Sequence, residues 1–128
     1  MEEKKIKVFV YGTLKKGYRN HYLLSDSTWL MNAVIKGTLY SIEGVDYPAF
    51  IDDNEFLIQG EVYEVDQTVL VALDDLEGYL GVNHPNNLYE RKRVMAYNSN
   101  NEALFDVYVY VYCPFNERYL SRILSNNY

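Results

Sequence analysis

The 128-residue chain has little cysteine and no long hydrophobic run. Its single cysteine, Cys113, excludes an internal disulfide and makes a reducing cytoplasm the expected compartment. No apolar stretch approaches the roughly 18–20 residues that a membrane span needs. The apolar run after Met1–Lys5 is too short and too regularly alternating for a secretory signal. We therefore expect no membrane partner.

Positive charge is also scarce: the chain has 12 Lys and Arg residues against 18 Asp and Glu residues, which gives a net charge of −6. No basic block or stripe occurs, which argues against binding to nucleic acid. The two histidines, His21 and His84, lack cysteine or histidine neighbours at ligand spacing, so we expect no metal site. Walker, GxGxxG and GxSxG motifs are absent, which removes the function classes that depend on them.

The chain nevertheless has enough apolar sequence for a core, at 48% hydrophobic residues with 14 tyrosines. Stretches rich in β-branched and aromatic residues predict strands at Ile6–Tyr11, Trp29–Ile42, Glu55–Val65, Tyr89–Tyr97 and Ala103–Tyr112. Turn-forming residues predict a hairpin connection at Asn98–Asn101 between the last two strands and a loop at Gly44–Pro48.

One main helix is predicted at Asp66–Leu80, with Asp66 as its N-cap, and short helices are predicted at Asn20–Ser25 and Glu117–Leu124. The order of strands, one helix and further strands predicts an α+β fold. We expect a small mixed or antiparallel sheet, curled toward a barrel, with the main helix packed on it and short flanking helices. No linker, repeat or change in composition indicates a second domain, so residues 1–128 are expected to form one.

One carboxylate of the main helix lies where a charge is costly. The apolar stripe of this helix consists of Val69, Leu70, Leu73 and Leu76. Glu77 falls inside the stripe near the helix end, whereas Asp74 lies at its edge and Asp75 faces solvent. A carboxylate directed at the core must be paired, hydrogen-bonded or functional. The alternative is a helix-end glutamate that bends out to water, helped by the following Gly78.

A second candidate element is the tetrapeptide Tyr11–Leu14, which leaves a strand directly into a glycine turn. Such turns can direct successive backbone N–H groups into one concavity that binds carboxylates. Gly12 would let a ligand approach the backbone closely. An ordinary strand-ending turn is the alternative interpretation.

The segment Val8–Leu24, VFVYGTLKKGYRNHYLL, resembles the signature of the γ-glutamylcyclotransferase-like (AIG2-like) family, which carries YGTL followed by a glycine and an asparagine. Four further segments resemble the family in the same order: Gly60–Asp66, Leu73–Tyr79, Leu88–Val94 and Asp106–Tyr112. By this resemblance the catalytic glutamate of the family aligns with Glu77, and its Tyr-x-Arg pair aligns with Tyr89 and Arg91. The first segment and the strand–helix junction resemble the γ-glutamylamine cyclotransferase branch best.

The resemblance implies a small mixed barrel with a cavity between the Tyr11–Leu14 turn and Glu77. It also implies release of 5-oxoproline from a small-molecule γ-glutamyl substrate without a metal or cofactor. Glu77 would act as general acid and base, and the backbone N–H groups of Gly12, Thr13 and Leu14 would bind the substrate.

The same resemblance makes Tyr11 and Tyr89 candidates for lining this cavity. Arg91 is a candidate to pair with Glu77 or with the substrate carboxylate, and a surface salt bridge is its alternative. The sequence does not indicate the leaving amine or the oligomeric state.

Three alternatives stay open at this point. The same pocket would serve a non-catalytic module that holds a γ-glutamyl or amino-acid ligand. It would also serve a cyclotransferase that removes a γ-glutamyl protecting group from a biosynthetic intermediate. The third alternative is a structural interaction protein, for which the surface pattern offers no support. Glutathione is disfavoured as the substrate, because the γ-glutamylamine branch is the better resemblance.

Overall fold

The β-branched and aromatic segments form strands, as their composition predicts. The computed structural model describes residues 5–12, 15, 21–44, 48–113 and 120–123. Within these ranges it contains six strands: β1 Ile6–Val10, β2 Thr28–Ile42, β3 Pro48–Val65, β4 Tyr89–Tyr97, β5 Ala103–Tyr112 and β6 Leu120–Ile123. One α-helix, α1, spans Gln67–Leu76, and a short 3₁₀ helix at His21–Leu24 lies within the predicted short helix Asn20–Ser25.

The strand pairings close on themselves. The hydrogen-bonded order is β3-β1-β5-β4-β2, β2 also pairs with β3, and β6 pairs with the other side of β2. The β1–β5 pair is parallel, with Val8 opposite Tyr108, and the remaining pairs are antiparallel. The predicted α+β class, with a mixed sheet that curls round and one main helix, is confirmed.

The strand β3 begins at Pro48, earlier than the predicted start at Glu55. Pro48 itself was predicted to end a loop, but it pairs with Ser41 of β2. Residues of low strand propensity are held in β3 by this pairing, and the Thr38 hydroxyl adds hydrogen bonds of 3.0 and 3.1 Å to the Asp53 carboxylate. Tertiary pairing therefore outweighs local propensity at this end of the strand.

The helix α1 begins as predicted, because the Asp66 side chain accepts a hydrogen bond of 2.9 Å from the Val69 N–H. It ends at Leu76 rather than at the predicted Leu80. Gly78 has a φ of 65°, and the Tyr79 N–H donates to the Asp74 carbonyl at 2.9 Å, a Schellman ending. The four residues after Leu76 are therefore outside the helix.

The prediction of a helix at Glu117–Leu124 is wrong over residues 120–123. These residues form β6, in which Leu120 lies opposite Ile42 and Ile123 opposite Tyr40. The rest of the predicted helix lies outside the described residues. Pairing with a distant strand, which the local pattern does not reveal, decides the structure here.

Two apolar clusters lie on opposite faces of the sheet, since successive residues of a strand point to opposite sides. On β1, Val8 and Val10 belong to one cluster and Phe9 to the other. The helix α1 packs on the Val8 and Val10 face through Leu70 and Leu73, which are 3% and 0% exposed. This packing places the C-terminal end of α1 against the sheet. In the described part of the chain, no helix has the length and apolar character needed to cross a bilayer.

Candidate active site

Glu77 occupies the C-cap of α1, one residue beyond the helical segment. Its N–H still donates to the Leu73 carbonyl at 3.0 Å, and Gly78 then turns the chain away. The residue is partly buried, and burial of its carboxyl raises the pKa to about 7. Across the described ranges, the structure records no hydrogen bond or ion pair to this carboxylate. A carboxyl in this state exchanges a proton readily at neutral pH.

Tyr11 directly follows β1 and lies in the same electrostatic cluster as Glu77. Its hydroxyl donates to the Tyr110 carbonyl at 2.6 Å, and its ring packs against Phe50 at 5.7 Å. Burial raises the pKa of Tyr11 well above its usual value, and the nearby Tyr89 and Glu77 raise it further. Tyr11 therefore stays neutral at physiological pH, and its role in lining the site stays a prediction.

Tyr89, the first residue of β4, is buried at 2% exposure. Its hydroxyl donates to the Pro48 carbonyl at 2.5 Å, and its ring meets Tyr112 edge-on at 5.3 Å. The structure thus brings Tyr89 close to Tyr11 and ties it to the start of β3, whereas its contact with substrate stays a prediction.

Gly12 is buried at the end of β1 with a φ of 61°. A Cβ at this position would lie 3.0 Å from both Cδ and Cγ of Pro48, so a larger side chain would meet both strain and crowding. The Lys15 N–H donates to the Gly12 carbonyl at 3.3 Å. Thr13 and Leu14 lie outside the described residues, so the anion-binding role of this turn stays a prediction.

Arg91 is paired with Asp74 rather than with Glu77. The shortest Arg91–Asp74 contact is 2.6 Å, and the Tyr110 hydroxyl donates to the other Asp74 oxygen at 2.7 Å. The Arg91 and Asp74 side chains are 20% and 19% exposed, so the pair is largely removed from water. A contact between Arg91 and the substrate stays a prediction. Asp74 was not a predicted site residue, although its spacing of three from Glu77 places both on one helix face.

The loop after Gly78 is organised by a buried amide that the sequence pattern does not single out. Asn87 is 4% exposed; its side chain accepts from the Leu80 N–H at 2.6 Å and donates to the Gly81 carbonyl at 2.8 Å. The Leu88 N–H donates to the Gly78 carbonyl at 3.1 Å and closes the loop. The chain beside Glu77 is therefore held in place by internal hydrogen bonds.

A surface groove of about 350 Å³ lies toward the N-terminal end of α1, and Arg91 is among the residues that line it. Its lining includes Lys5, Lys7, Gln67 and Arg93, but none of Glu77, Tyr11 or Tyr89. Among the residues that the structure describes, no three His, Cys, Asp or Glu side chains are grouped so as to hold a metal ion.

Burial of the Glu77 carboxyl has a consequence for stability. The carboxyl holds its proton more tightly in the folded state, with a pKa of about 7 against an ordinary 4.5, so the stability it contributes is present below about pH 4.5 and lost as pH rises through 7. As the pH rises from about 4 to about 8, the free energy of unfolding of Glu77→Gln should increase relative to that of the wild type by up to roughly 3 kcal/mol. Urea unfolding of both proteins at the two pH values measures this. An unchanged difference would show that the carboxyl is solvated.

Comparison with known proteins identifies relatives of this chain. The profile of the family described as gamma-glutamyl cyclotransferase, AIG2-like, matches residues 8–128. The chain is 38% identical over 104 residues to the gamma-L-glutamyl-butirosin B gamma-glutamyl cyclotransferase of Niallia circulans. The aligned stretch covers 80% of this chain and 65% of that protein. It is 32% identical over 81 residues to the gamma-glutamylaminecyclotransferase of Rattus norvegicus, covering 56% of this chain and 54% of that protein.

The fold is also similar to that of a solved AIG2-like protein. An AIG2-like protein from Mus musculus superimposes with a TM-score of 0.74 over 97% of this chain and 88% of its own, at 24% identity, which shows a shared fold alone. The matched stretch spans less than two thirds of the length of both named relatives. The profile match nevertheless covers most of the chain and confirms the resemblance found in the sequence. The chain belongs to the AIG2-like γ-glutamyl cyclotransferase family.

Proposed function

We propose that this chain releases 5-oxoproline and a free amine from a γ-glutamylamine. The observation that carries the proposal is Glu77, a partly buried carboxyl with a pKa raised to about 7 by desolvation. Family membership supports it, because relatives are described as γ-glutamyl cyclotransferases. In this reaction the substrate's α-nitrogen forms a bond to its own γ-carbonyl carbon, and the bond from that carbon to the leaving nitrogen breaks.

The first step needs a base. An ordinary α-amine has a pKa of about 7.7–8.0, so at neutral pH most of it is an ammonium that cannot attack. The Glu77 carboxylate accepts one of its protons, and a base with a pKa close to the working pH is well matched to this task. Tyr11, with its raised pKa, stays protonated and does not compete for the role.

The second step needs an acid and a stabilised oxyanion. Protonated Glu77 gives its proton to the leaving nitrogen, and the carboxylate then takes the second proton of the ring nitrogen. That proton passes to the released amine, which departs as an ammonium, so that the enzyme is restored. The backbone N–H groups of the Gly12–Leu14 turn are assigned to the oxyanion or to the substrate carboxylate. Tyr11 and Tyr89 are assigned to the walls that hold the glutamyl chain in the folded shape from which ring closure occurs.

A second candidate substrate is a γ-glutamyl-protected biosynthetic intermediate. The relative from Niallia circulans is named for γ-L-glutamyl-butirosin B and matches a larger share of this chain than the γ-glutamylaminecyclotransferase from Rattus norvegicus. Both candidates share the γ-glutamyl group and the chemistry at Glu77. They differ only in the amine that leaves.

The test is 5-oxoproline release by the purified protein, measured by mass spectrometry. The panel contains γ-glutamyl-ε-lysine, simple γ-glutamylamines, a γ-glutamyl aminoglycoside, γ-glutamyl dipeptides and glutathione. Release from an amine substrate but not from glutathione is the expected result. No release, combined with thermal stabilisation by the same compounds, would contradict catalysis and identify a binding module, since a ligand that binds only the folded state stabilises it.

The pH dependence of turnover gives a further expected result. Because the base form of Glu77 is required and its pKa is about 7, log kcat/KM should rise with a slope of about one below pH 7 and level off above it. Initial rates measured from about pH 5.5 to pH 9 at subsaturating substrate provide the profile. A rise centred near pH 4.5, the ordinary value for glutamate, would rule out a desolvated base.

A further inference from the structure

The last turn of α1 is held against the sheet at Asp74, three residues before Glu77. Positions three apart on a helix lie on one face as neighbours. The Asp74 carboxylate receives Arg91 from β4 at 2.6 Å and the Tyr110 hydroxyl from β5 at 2.7 Å. Its backbone carbonyl accepts the Tyr79 N–H that closes the helix end. Asp74 therefore joins the turn that carries the candidate base to two strands.

Arg91 is itself fixed in place. Its guanidinium lies 5.1 Å from the Tyr79 ring centre and 5.0 Å from the Tyr108 ring centre, in addition to its bond with Asp74. The ion pair between Arg93 of β4 and Asp106 of β5 is longer, at 3.5 Å, and its side chains are 64% and 48% exposed. The pair next to the candidate base is the tighter and the more buried of the two.

We propose that Asp74 and Arg91 are positioning residues for Glu77, holding its turn against the sheet and balancing the charge beside it. This inference rests on the proposed role of Glu77 and is independent of which amine leaves. A single unbalanced charge at Asp74, one helical turn from Glu77, would change how readily Glu77 takes up a proton. Together, Asp74 and Arg91 anchor the turn to the sheet without adding a net charge beside Glu77.

The groups that face Glu77 from the surrounding elements support this view. Tyr11 approaches from the end of β1, Tyr110 from β5, and both have their pKa raised, first of all by burial. Tyr89 of β4 is close enough to Tyr11 to raise its pKa further. The tyrosines are therefore neutral at physiological pH, whereas Asp74 and Arg91, which act on Tyr110 together with Glu77, are charged with opposite signs.

The experiment is a direct titration of Glu77 by NMR in protein carrying ¹³C at the glutamate side-chain carboxyl, with the signal assigned by its loss in Glu77→Gln. Asp74→Asn leaves the Arg91 charge unbalanced, which favours the carboxylate and lowers the titration midpoint. Arg91→Met leaves the Asp74 charge unbalanced, which disfavours a second carboxylate and raises the midpoint. We expect shifts of about one pH unit in opposite directions. The double variant should return close to the wild-type midpoint.

Matched controls separate this effect from general damage. Asp75→Asn removes a neighbouring carboxylate that is exposed, and Arg93→Met breaks the exposed pair, so neither should move the Glu77 midpoint. Arg91→Lys keeps the charge and should keep the midpoint even if the fork geometry is lost. Thermal unfolding of each variant identifies any that fails to fold, and Arg91→Lys with Asp74→Asn then still tests the charge argument.

A purely structural pair would give a different result. Loosening the turn would admit water to Glu77 in both single variants and lower both midpoints toward the ordinary glutamate value. Shifts in the same direction, or no shift in either variant, would therefore overturn the proposal. The titration needs no turnover, so opposite shifts in a protein that releases no 5-oxoproline would retain the positioning role and reject the proposed function. In an active protein, the acid limb of kcat/KM should move with each midpoint.

Discussion

Glu77→Gln is expected to lower kcat/KM for 5-oxoproline release by at least about 10²-fold, since general base catalysis typically contributes about 10²–10⁴-fold. Glutamine has nearly the same size and shape as glutamate but cannot take a proton from the α-ammonium. The backbone bond from the residue 77 N–H to the Leu73 carbonyl does not involve the side chain, so the turn should persist. Single-substrate kinetics on the best compound of the panel provide the measurement.

Asp75→Asn is the matched control for this change. It removes a carboxylate two residues earlier that is exposed and outside the cluster, and its kcat/KM should stay within about twofold of the wild type. A Glu77→Gln protein that retains more than about a third of wild-type kcat/KM would refute the assignment, because loss of a general base costs far more than that. Glu77 would then be a structural residue of the helix end.

Gly60→Ala is expected to destabilise the sheet strongly. A Cβ at this position would lie 2.4 Å from the Phe9 ring and 2.5 Å from the Val10 carbonyl oxygen. Phe9 is 1% exposed and cannot swing out of the core, and Val10 pairs with Glu61 in the β1–β3 ladder. Overpacking of this kind costs typically 1–3 kcal/mol and more where backbone must move, so we expect a loss of about 3 kcal/mol.

Urea unfolding compares Gly60→Ala with Gln59→Ala, the exposed neighbour on the same strand. The Gln59 variant should lie within about 0.5 kcal/mol of the wild type, because it touches no buried group. A Gly60→Ala protein that loses less than about 1 kcal/mol would show that the strands separate more easily than the close approach of Phe9 suggests. The comparison thus measures how rigidly β1 and β3 are joined.

The β4–β5 hairpin and the candidate base were predictable because their signals are local. The β-branched and aromatic residues of β4 and β5 predicted both strands with their observed bounds around the Asn98–Asn101 turn. Glu77 was identified by its position in an apolar stripe, and its carboxyl is indeed desolvated. The earlier end of α1 was also signalled, by Gly78, since glycine readily adopts the left-handed conformation that ends helices.

What could not be predicted depends on contacts between distant segments. Arg91 and Asp74 are 17 positions apart, and no local pattern says which carboxylate an arginine will find. The start of β3 at Pro48 and the strand β6 both follow from pairing with β2, against the preferences of their own residues. The positioning pair and the sheet ends therefore emerge only once the fold is assembled.

The hydrogen bond from Tyr11 to Tyr110 joins residues 99 positions apart and sits beside the candidate base. During synthesis the hairpin of β2 and β3 can form as soon as both strands have been made, because its residues are neighbours in the chain. The parallel contact between β1 and β5 must wait until β5 emerges, and closing so large a loop is slow. The candidate site is therefore among the last parts of the protein to form, and a nascent chain that lacks β5 carries Glu77 without the Tyr110 contact that holds Tyr11.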